Sequence, residues 1–424
     1  MKNFAVIGNP IAHSKSPDVF GVFFRRYGLN SNYLRIKVEN ASEILPLISK
    51  YNISGFNVTS PFKESILNLI HDADNISKRT GSVNLVLNKN GVFYGFNTDV
   101  YGIQHSLVFN NVNVQDQKCI VLGAGGAARS AVFALQDLGA EVFICNRTDE
   151  KAENISSYFG CGLIKYCMLK ESLSGIYLMV AAVPELTAEI KEELKHTIVF
   201  EADYRNPQFK GICKKHIDGH DWLINQAVKS FEIFCDLRSE DRDVKKEIMS
   251  TEIKENIALI GPTGTGKSVY GKIVAEKYKM KLIDTDQEVE NKTGMKIAEI
   301  FRIYGEEYFR KAESEIIAES ACGTGKVIVP GAGALASGIS RNIIKRNCFS
   351  VLLDTETDII LSRLKLDDIK SRPMLDPDNL RTTYEEMFNK RKDGYIDATD
   401  LIIKTGTGTV GEEAEKIIRE LDAR

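Results

Sequence analysis

The stretch Gly123-Ala124-Gly125-Gly126-Ala127-Ala128 decides the fold of the first half of the chain. It follows an apolar run, Lys118 to Leu122, that predicts a strand, and it opens a run to Leu138 that predicts a helix. Glycines at this spacing let a strand-to-helix turn approach a dinucleotide pyrophosphate at the helix N-terminus. A second strand-like run, Glu141 to Cys145, completes a βαβ unit. We therefore predict a Rossmann domain.

A second phosphate-binding turn lies further along the chain, after the strand-like run Ile257 to Ile260, and reads Gly261-Pro262-Thr263-Gly264-Thr265-Gly266-Lys267-Ser268. This pattern wraps the terminal phosphates of a nucleotide. Lys267 supplies a point charge, and the Ser268 hydroxyl is a magnesium ligand. The two turns suit different ligands. We therefore expect a redox site and a phosphoryl-transfer site in one polypeptide.

Composition limits the classes of partner. The chain has 424 residues, 43% hydrophobic and 27% charged, with a net charge of -3, which fits a globular protein of several domains and gives no support for nucleic acid as a partner. No run approaches the ~20 apolar residues that span a bilayer, so we expect no membrane partner. The eight cysteines form no CxxC pair, which favours free thiols and a cytoplasmic location. Oligomeric state cannot be read from these features.

Cofactor choice follows from the end of the second Rossmann strand. An NAD enzyme usually places an acidic residue there, whereas this chain has Asn146-Arg147-Thr148. An arginine suits a 2′-phosphate, so NADP(H) is favoured. The residues expected at this cofactor are Gly123, Ala124, Gly125, Gly126, Ala127, Asn146, Arg147 and Thr148.

Four ordered motifs in the first half strongly resemble those of shikimate dehydrogenases, and the resemblance extends to about residue 237. They are Gly8-Asn9-Pro10-Ile11-Ala12-His13-Ser14-Lys15-Ser16-Pro17, Asn57-Val58-Thr59-Ser60-Pro61-Phe62-Lys63, Gly81-Ser82-Val83-Asn84 and Gly95-Phe96-Asn97-Thr98-Asp99. The resemblance implies that Lys63 and Asp99 form the catalytic pair, which agrees with the chemistry, because ketone reduction by hydride creates an alkoxide that must receive a proton. It also implies that the substrate is bound by Ser14, Ser16, Thr59, Asn84, Asp99, Tyr204 and Gln226.

Three segments on the cofactor side differ from the family pattern. An Asn-Ala-Thr/Ser loop is replaced by Val180-Ala181-Ala182-Val183-Pro184, and the tyrosine motif at Asp203 to Pro207 is one residue longer. Where the family has Gly-x-Gly-Met-Leu, with the methionine near the nicotinamide, this chain has Gly219-His220-Asp221-Trp222-Leu223. Gly219 is still expected at the cofactor. Trp222, the only tryptophan, is either a core residue or part of the pocket.

The second half closely resembles shikimate kinase from about residue 255 to 420. The motifs that follow the phosphate turn are Leu282-Ile283-Asp284-Thr285-Asp286, Gly305-Glu306-Glu307-Tyr308-Phe309-Arg310-Lys311-Ala312-Glu313, Pro330-Gly331-Ala332-Gly333, Ser371-Arg372-Pro373-Met374-Leu375 and Arg391-Lys392-Asp393-Gly394-Tyr395. Ala332 interrupts the usual triple glycine.

Phosphoryl transfer needs charge neutralisation and positioning, which assigns roles to these residues. Ser268 and Asp284 are the expected Mg²⁺ site, Asp286 orients the attacking hydroxyl, and Lys267 and Arg372 contact ATP, with Arg372 acting from a lid. A planar guanidinium matches a carboxylate. The expected substrate residues are Asp286, Arg310, Gly331, Gly333 and Arg391, and the expected ATP residues are Gly261, Thr263, Gly264, Thr265, Gly266, Lys267, Ser268 and Arg372.

Alternating strands and helices predict an α/β protein of three domains. We place an α/β substrate domain at 1–101 with a closing helix at 226–240, a Rossmann NADP-binding domain at 102–225, a linker at 241–254, and a P-loop domain like the nucleoside-monophosphate kinases, of α/β/α type, at 255–424. The interpretation is a bifunctional enzyme that makes shikimate and then phosphorylates it. Two alternatives are a quinate/shikimate dehydrogenase of relaxed cofactor use fused to a small-polyol kinase, and an inactive regulator that binds shikimate.

Overall fold

The computed structural model describes residues 1–183, 185–239, 244–250, 253–364 and 376–424. The chain forms two compact units. The first comprises Met1–Asn9, Lys15–Tyr33 and Asn40–Thr251, and the second comprises Pro10–Ser14, Leu34–Glu39 and Glu252–Arg424. The domain boundaries proposed from the sequence remain predictions. No helix in the described ranges is both long and apolar enough to cross a membrane.

Six strands and four helices precede the first glycine turn. The strands are β1 (Lys2–Gly8), β2 (Ser31–Lys37), β3 (Ile53–Val58), β4 (Asp72–Ala73), β5 (Leu85–Lys89) and β6 (Val92–Phe96), and the helices are α1 (Ser16–Arg26), α2 (Ile44–Lys50), α3 (Asn75–Thr80) and α4 (Thr98–Phe109). In this mixed sheet β1 pairs with β3 in parallel, while β3–β5 and β5–β6 are antiparallel. Helix α4 runs across the boundary predicted at 101/102.

A second sheet of six parallel strands follows. Its strands are β7 (Lys118–Leu122), β8 (Glu141–Cys145), β9 (Gly162–Leu163), β10 (Leu178–Ala181), β11 (Ile198–Glu201) and β12 (Lys215–Ile217). Their spatial order is β9-β8-β7-β10-β11-β12. Strands β8 and β9 are therefore added on one side of β7, and β10 to β12 are added on its other side. This is the strand order of dinucleotide-binding folds, and it confirms the predicted Rossmann topology.

The helices of this region are α5 (Gly126–Asp137), α6 (Asp149–Phe159), α7 (Leu169–Ser172), α8 (Ala188–Glu192), α9 (Gly219–Cys235) and α10 (Lys245–Met249). The closing helix, expected at 226–240, is α9; it begins earlier because Asp218 caps it, accepting from the His220 N–H, and it ends where Asp236 turns to φ 54°. Helix α10 lies within the stretch that was expected to be a linker. Helix α9 packs along α4, where a Cβ on Gly102 would lie 3.0 Å from Trp222 Cδ1.

The second unit contains a parallel sheet with helices around it. Its strands are β13 (Asn256–Ile260), β14 (Lys281–Asp284), β15 (Lys326–Val329), β16 (Cys348–Thr355) and β17 (Leu401–Thr405), and its helices are α11 (Lys267–Tyr278), α12 (Thr285–Thr293), α13 (Ile297–Ala321), α14 (Gly338–Asn347), α15 (Thr357–Arg363), α16 (Leu380–Ala398) and α17 (Val410–Asp422). The order β14-β15-β13-β16-β17 puts β13, which feeds the phosphate turn, at the centre. Helix α13 is broken at Gly305, where φ is 81°.

Candidate functional site

A buried carboxylate, Asp99, lies at the centre of the first site. Lys63 Nζ donates a hydrogen bond of 2.6 Å to Asp99 Oδ2, and Trp222 Nε1 donates one of 3.1 Å to Asp99 Oδ1. The Lys63 side chain is 15% exposed and that of Asp99 is 6% exposed. The Lys63 side chain is therefore more exposed than the carboxylate that holds it.

The Asn97 side chain fixes the backbone position of Asp99 through hydrogen bonds. Its side-chain oxygen caps α4 by accepting from the backbone N–H groups of Asp99 and Val100. Its amide nitrogen donates to the Ser82 carbonyl at 2.9 Å and to Ser130 Oγ at 2.9 Å. One buried amide thus ties the start of α4 to the turn before β5 and to α5. No role for this residue was predicted from the sequence.

Asn84 and Gln226, two of the expected substrate residues, lie in one hydrogen-bond network. Asn84 Nδ2 donates to Gln226 Oε1 at 3.3 Å and to Thr98 Oγ1 at 3.0 Å, and the Thr98 backbone N–H donates to Asn84 Oδ1 at 2.7 Å. Thr98 immediately precedes Asp99. The structure therefore brings together a row of amides and a hydroxyl beside the Lys63–Asp99 pair, a set suited to the hydroxyl groups of a small polyol.

The remaining expected substrate residues are placed as follows. Ser16 begins α1 and is buried, and the Thr59 backbone N–H donates to the Ile7 carbonyl at 2.9 Å. Tyr204 Oη accepts from the Lys15 backbone N–H at 3.3 Å. Ser14 is also buried, and its carbonyl accepts from Arg35 Nε at 2.9 Å and Nη2 at 2.7 Å.

Two of the three glycines of the first turn, Gly123 and Gly126, are required by space. At Gly123, where φ is 120°, a Cβ would lie 2.9 Å from the Ala182 carbonyl oxygen. At Gly126 a Cβ would lie 2.8 Å from Lys63 Cβ and 2.6 Å from Ser82 Oγ, whereas at Gly125 it would meet no atom of the described residues within 4 Å. The turn therefore opens outward at Gly125 and presses on Lys63 at Gly126. This cradle fits the pyrophosphate of a dinucleotide, and Lys63 lies against the same turn.

The other expected cofactor residues follow the next strands. Ala124 and Ala127 belong to the same turn. Asn146 Nδ2 donates to the Thr148 carbonyl at 3.0 Å, Arg147 is exposed, and Asn146 and Arg147 line a small pocket with Leu122 and Tyr166. Gly219 is a packing glycine, because a Cβ there would lie 2.8 Å from the Ala202 carbonyl oxygen. An exposed guanidinium beside a pocket at the strand ends suits a phosphate on the adenosine ribose.

The second turn lies between β13 and α11. Three glycines have positive φ, 141° at Gly261, 84° at Gly264 and 89° at Gly266, which other residues rarely adopt. Thr265 Oγ1 and Lys267 Nζ each donate 3.0 Å bonds to the Pro262 carbonyl inside the loop. The Thr263 carbonyl accepts from Tyr384 Oη at 3.0 Å, which ties the loop to α16. The loop is thus wound with its N–H groups at the start of a helix, as phosphate binding requires.

Ser268 and Asp284, the expected magnesium residues, are in direct contact. Ser268 Oγ donates to Asp284 Oδ2 at 2.7 Å, while Asp284 Oδ1 accepts from the Asp286 backbone N–H at 3.2 Å and caps α12. Mg²⁺ takes oxygen ligands and usually keeps several of its waters, so one or two protein oxygens are sufficient. A hydroxyl and a carboxylate at the mouth of the phosphate turn therefore fit a nucleotide-bound Mg²⁺.

A single turn, Gly331 to Gly333, connects the expected substrate residues of the second site. A Cβ on Gly331 would overlap Asp286 Oδ1 and Glu313 Oε1, and a Cβ on Gly333 would overlap the Arg310 guanidinium. Thr285 Oγ1 accepts from the Gly331 N–H at 3.0 Å. The two glycines therefore let the chain pass between the acidic groups and the arginine.

Ala332, which lies between these two glycines, contacts α16 through its backbone carbonyl. Its carbonyl accepts from Tyr395 Oη and lies 3.5 Å from Arg391 Nη1. Burial raises the pKa of Tyr395 to about 12, so this hydroxyl remains a donor at neutral pH. Arg391, Arg310 and Asp286 thus surround one turn, while the expected lid residue Arg372 lies outside the described residues.

Glu313 is a member of this site whose role the sequence analysis did not identify. Its Oε2 accepts from Arg310 Nη1 at 2.7 Å, and Oε1 has no hydrogen-bond partner within the described ranges. Burial raises the pKa of this carboxyl to about 7, although Arg310 opposes the shift. The sequence signal that could have identified Glu313 is its spacing from Arg310, because residues three positions apart on a helix are neighbours.

Three family models match the chain: "Shikimate dehydrogenase substrate binding domain" over residues 6–86, "Shikimate / quinate 5-dehydrogenase" over residues 106–193, and "Shikimate kinase" over residues 263–422. The shikimate dehydrogenase (NADP(+)) of Nitrosopumilus maritimus is 31% identical over 268 residues, which cover 58% of this chain and 98% of the relative. That of Aquifex aeolicus is 39% identical over 244 residues, 54% of this chain and 90% of the relative.

A solved structure gives the same likeness. The crystal structure of shikimate 5-dehydrogenase from Thermus thermophilus in complex with NADP(H) and shikimate superposes with a TM-score of 0.53 at 27% identity, covering 59% of this chain and 99% of that one.

Proposed function

The chain belongs to the shikimate dehydrogenase family, and because a region similar to shikimate kinase follows in the same polypeptide, we propose that it carries out two consecutive reactions on one carboxylated ring. The first half reduces 3-dehydroshikimate to shikimate with NADPH. The second half phosphorylates the 3-hydroxyl of shikimate with MgATP. Its ligands are therefore small molecules, and the product of one site is the substrate of the other.

The observation that carries the first assignment is the bond of 2.6 Å from Lys63 Nζ to Asp99 Oδ2, with Gly126 of the cofactor turn against the same lysine. Bound NADPH supplies the hydride. As the ketone carbon accepts it, the carbonyl oxygen gains negative charge, and the Lys63 ammonium donates a proton to that oxygen. Asp99 holds the ammonium in place. Positioned acid catalysis of this kind contributes about 10²–10⁴-fold in rate.

The amide row explains how this site would hold the ring. Asn84 and Gln226 can each donate to and accept from a hydroxyl, and the network through Thr98 fixes both beside Asp99. Ser14 and Ser16 are the hydroxyls that we assign to the substrate carboxylate. Gly123 to Ala127, Arg147 and Gly219 are assigned to NADP(H).

In the second half, Asp286 accepts a hydrogen bond from the 3-hydroxyl and directs its lone pair at the transferred phosphorus. Arg310 and Arg391, which both contact the Gly331–Gly333 turn, hold the substrate carboxylate. Lys267 neutralises charge on the phosphates. Ser268 and Asp284 would hold a Mg²⁺ ion, which would offset the negative charge that develops on the phosphates during transfer. Arg372 is assigned to the lid.

All eight cysteines, each within the described part of the chain, are free thiols. This supports our proposal that the protein works in the reducing cytoplasm.

The test uses the purified full chain with 3-dehydroshikimate, NADPH and MgATP. We expect NADPH absorbance to fall first and ADP release to follow, with shikimate 3-phosphate as the final product. Separate reactions with quinate and NADP⁺, and with NADH in place of NADPH, measure the relaxed-specificity alternative. An inactive chain that binds shikimate would instead indicate a regulator.

Two lysine variants separate the sites. Lys63→Ala should abolish reduction and leave shikimate phosphorylation near the wild-type rate, while Lys267→Ala should do the reverse. A single substitution that silenced both activities in a folded protein would contradict two independent sites.

A further inference from the structure

The only tryptophan of the chain contacts the proposed catalytic pair. Trp222 is 5% exposed, and its Nε1 donates a hydrogen bond of 3.1 Å to Asp99 Oδ1. Its ring packs against Phe200, with centroids 5.6 Å apart. Trp222 is therefore a core residue and a neighbour of the reacting groups at once.

The chemistry at this position differs from the family pattern, in which a methionine occupies the place of Trp222. A thioether has no hydrogen to donate, whereas the indole N–H is a donor only. In this chain the indole therefore places a donor at the Asp99 carboxylate.

The local packing makes the contact specific. Asp99 and Gly102 lie on one face of α4, and Trp222 and Gln226 lie on the facing side of α9. A Cβ on Gly102 would lie 3.0 Å from Trp222 Cδ1 and 2.9 Å from Gln226 Cβ, so the missing side chain lets the indole come close to α4. An indole has two side-chain torsions, and packing on Phe200 restricts both.

We propose that Trp222 is a positioning residue for the reduction, which fixes the plane of the Asp99 carboxylate so that Oδ2 holds Lys63 in line for proton transfer. This inference rests on the proposed function of the first half. The carboxylate is held at both oxygens, by Lys63 and by Trp222, while Asn97 holds its backbone N–H. Without the indole, Oδ1 would lose its donor and the carboxylate could rotate about its last torsion.

Kinetics give the first test. Trp222→Phe keeps an aromatic ring and removes the N–H donor. Trp222→Met introduces the methionine of the family pattern. A hydrogen bond to a charged group that is lost from the transition state should lower kcat for 3-dehydroshikimate reduction about tenfold or more. KM should change less than about threefold, because the ring-binding amides are untouched. The kinase rate of the same protein and its affinity for NADPH report folding of the two halves.

A double-mutant cycle with Asp99→Ala, which removes both carboxylate oxygens, separates positioning from packing. If Trp222 acts through the carboxylate, adding Trp222→Phe to Asp99→Ala should cost less than about twofold in residual kcat. A full tenfold loss in both backgrounds would overturn the proposal, as would a Trp222→Phe variant with wild-type kcat.

Fluorescence gives a measurement that needs no activity, because Trp222 is the sole indole. Asp99→Ala, which removes the acceptor of the indole N–H, should change its emission maximum or intensity. Asp137→Ala is the matched control: Asp137 is on α5, where its carboxylate accepts from Gln104 Nε2 at 2.9 Å, and the emission should stay unchanged. Identical spectra for wild type and Asp99→Ala would overturn the contact. A wild-type chain that fails to reduce 3-dehydroshikimate contradicts the proposed function, whereas an active one with these negative results contradicts only the role of Trp222.

Discussion

Glu313 Oε2 accepts a hydrogen bond of 2.7 Å from Arg310 Nη1, the arginine that we assign to the substrate carboxylate of the kinase site. Because burial raises the pKa of Glu313 to about 7, this carboxyl changes charge near neutral pH. Arg391, another cationic neighbour, favours the charged form, and Asp286 opposes it. When Glu313 is ionised, the carboxylate of the substrate must therefore compete with it for the Arg310 guanidinium.

The sign of the expected pH dependence follows from this charge. Below about pH 7 Glu313 is neutral and no longer competes with the substrate for Arg310, which keeps its 3.2 Å bonds to Glu306 Oε1; above that pH the Glu313 anion competes as well. We expect KM for shikimate in the kinase reaction to rise from about pH 6 to about pH 8 in the wild type, and to vary much less in Glu313→Gln. Steady-state kinetics at saturating MgATP measure this. Equal slopes in both proteins would exclude Glu313 as the titrating group.

The glycines at 331 and 333 give a steric prediction with a built-in control. Gly331→Ala places a methyl against Asp286 and Glu313, so it should lower kinase kcat/KM for shikimate at least about tenfold. Ala332→Gly, one residue away, removes a methyl and should stay within about twofold of the wild type. Reduction of 3-dehydroshikimate should be unaffected in both. Similar losses in the two variants would show that the turn tolerates neither change and that space at Gly331 is not the cause.

Arg147 gives the prediction for cofactor choice. An exposed guanidinium beside the pocket at the strand ends can bind a 2′-phosphate bidentately. Arg147→Ala should lower kcat/KM for NADPH at least about tenfold and leave that for NADH within about twofold. Initial rates with both cofactors give the ratio. Equal losses for the two cofactors would mean that Arg147 stabilises the turn and does not bind the 2′-phosphate.

Local signals predicted much of this fold correctly. Strands β7 and β8 have the bounds expected from the sequence, Lys118–Leu122 and Glu141–Cys145, because each is an apolar run ended by turn residues. The start of α9 was missed. Gly219 resembles a helix breaker, but the Asp218 side chain caps the helix in front of it, and the glycine is needed for close approach to Ala202.

The contacts that could not be predicted join distant parts of the chain. The bond from Trp222 to Asp99 spans 123 positions, and no pattern within either segment shows that α9 packs on α4. Asn97 was quoted only as part of a motif, since the contacts of its amide nitrogen with Thr80, Ser82 and Ser130 depend on tertiary packing. Glu313 was missed for a related reason: its elevated pKa comes from burial, which a charged residue on a helix does not reveal.

Asn97 provides a prediction about stability. The side chain is buried and caps α4, and its amide nitrogen, which has two hydrogens, lies within 3.1 Å of three acceptors. Asn97→Ala therefore leaves several buried groups without partners. We expect a loss of about 2–4 kcal/mol in the unfolding free energy of the first unit, together with lower reductase kcat. Asp74→Ala removes the cap of α3 alone, where the Ser77 N–H donates at 2.7 Å, and should cost about 1 kcal/mol. Denaturant unfolding compares them, and equal losses would show that the extra Asn97 contacts add nothing.

The pair of Ser268 and Asp284 predicts how the kinase depends on Mg²⁺. A hydrogen bond of 2.7 Å joins their oxygens, and the same carboxylate caps α12 through the Asp286 N–H. Asp284 therefore connects the proposed Mg²⁺ site to Asp286, the residue that we assign to the substrate hydroxyl. Asp284→Asn keeps the size and one acceptor oxygen but removes the charge. We expect the Mg²⁺ concentration for half-maximal phosphorylation to rise about tenfold or more. Reduction by NADPH, which involves neither residue, serves as the control in the same protein. An unchanged Mg²⁺ requirement with a lowered kcat would instead assign Asp284 to positioning Asp286 alone.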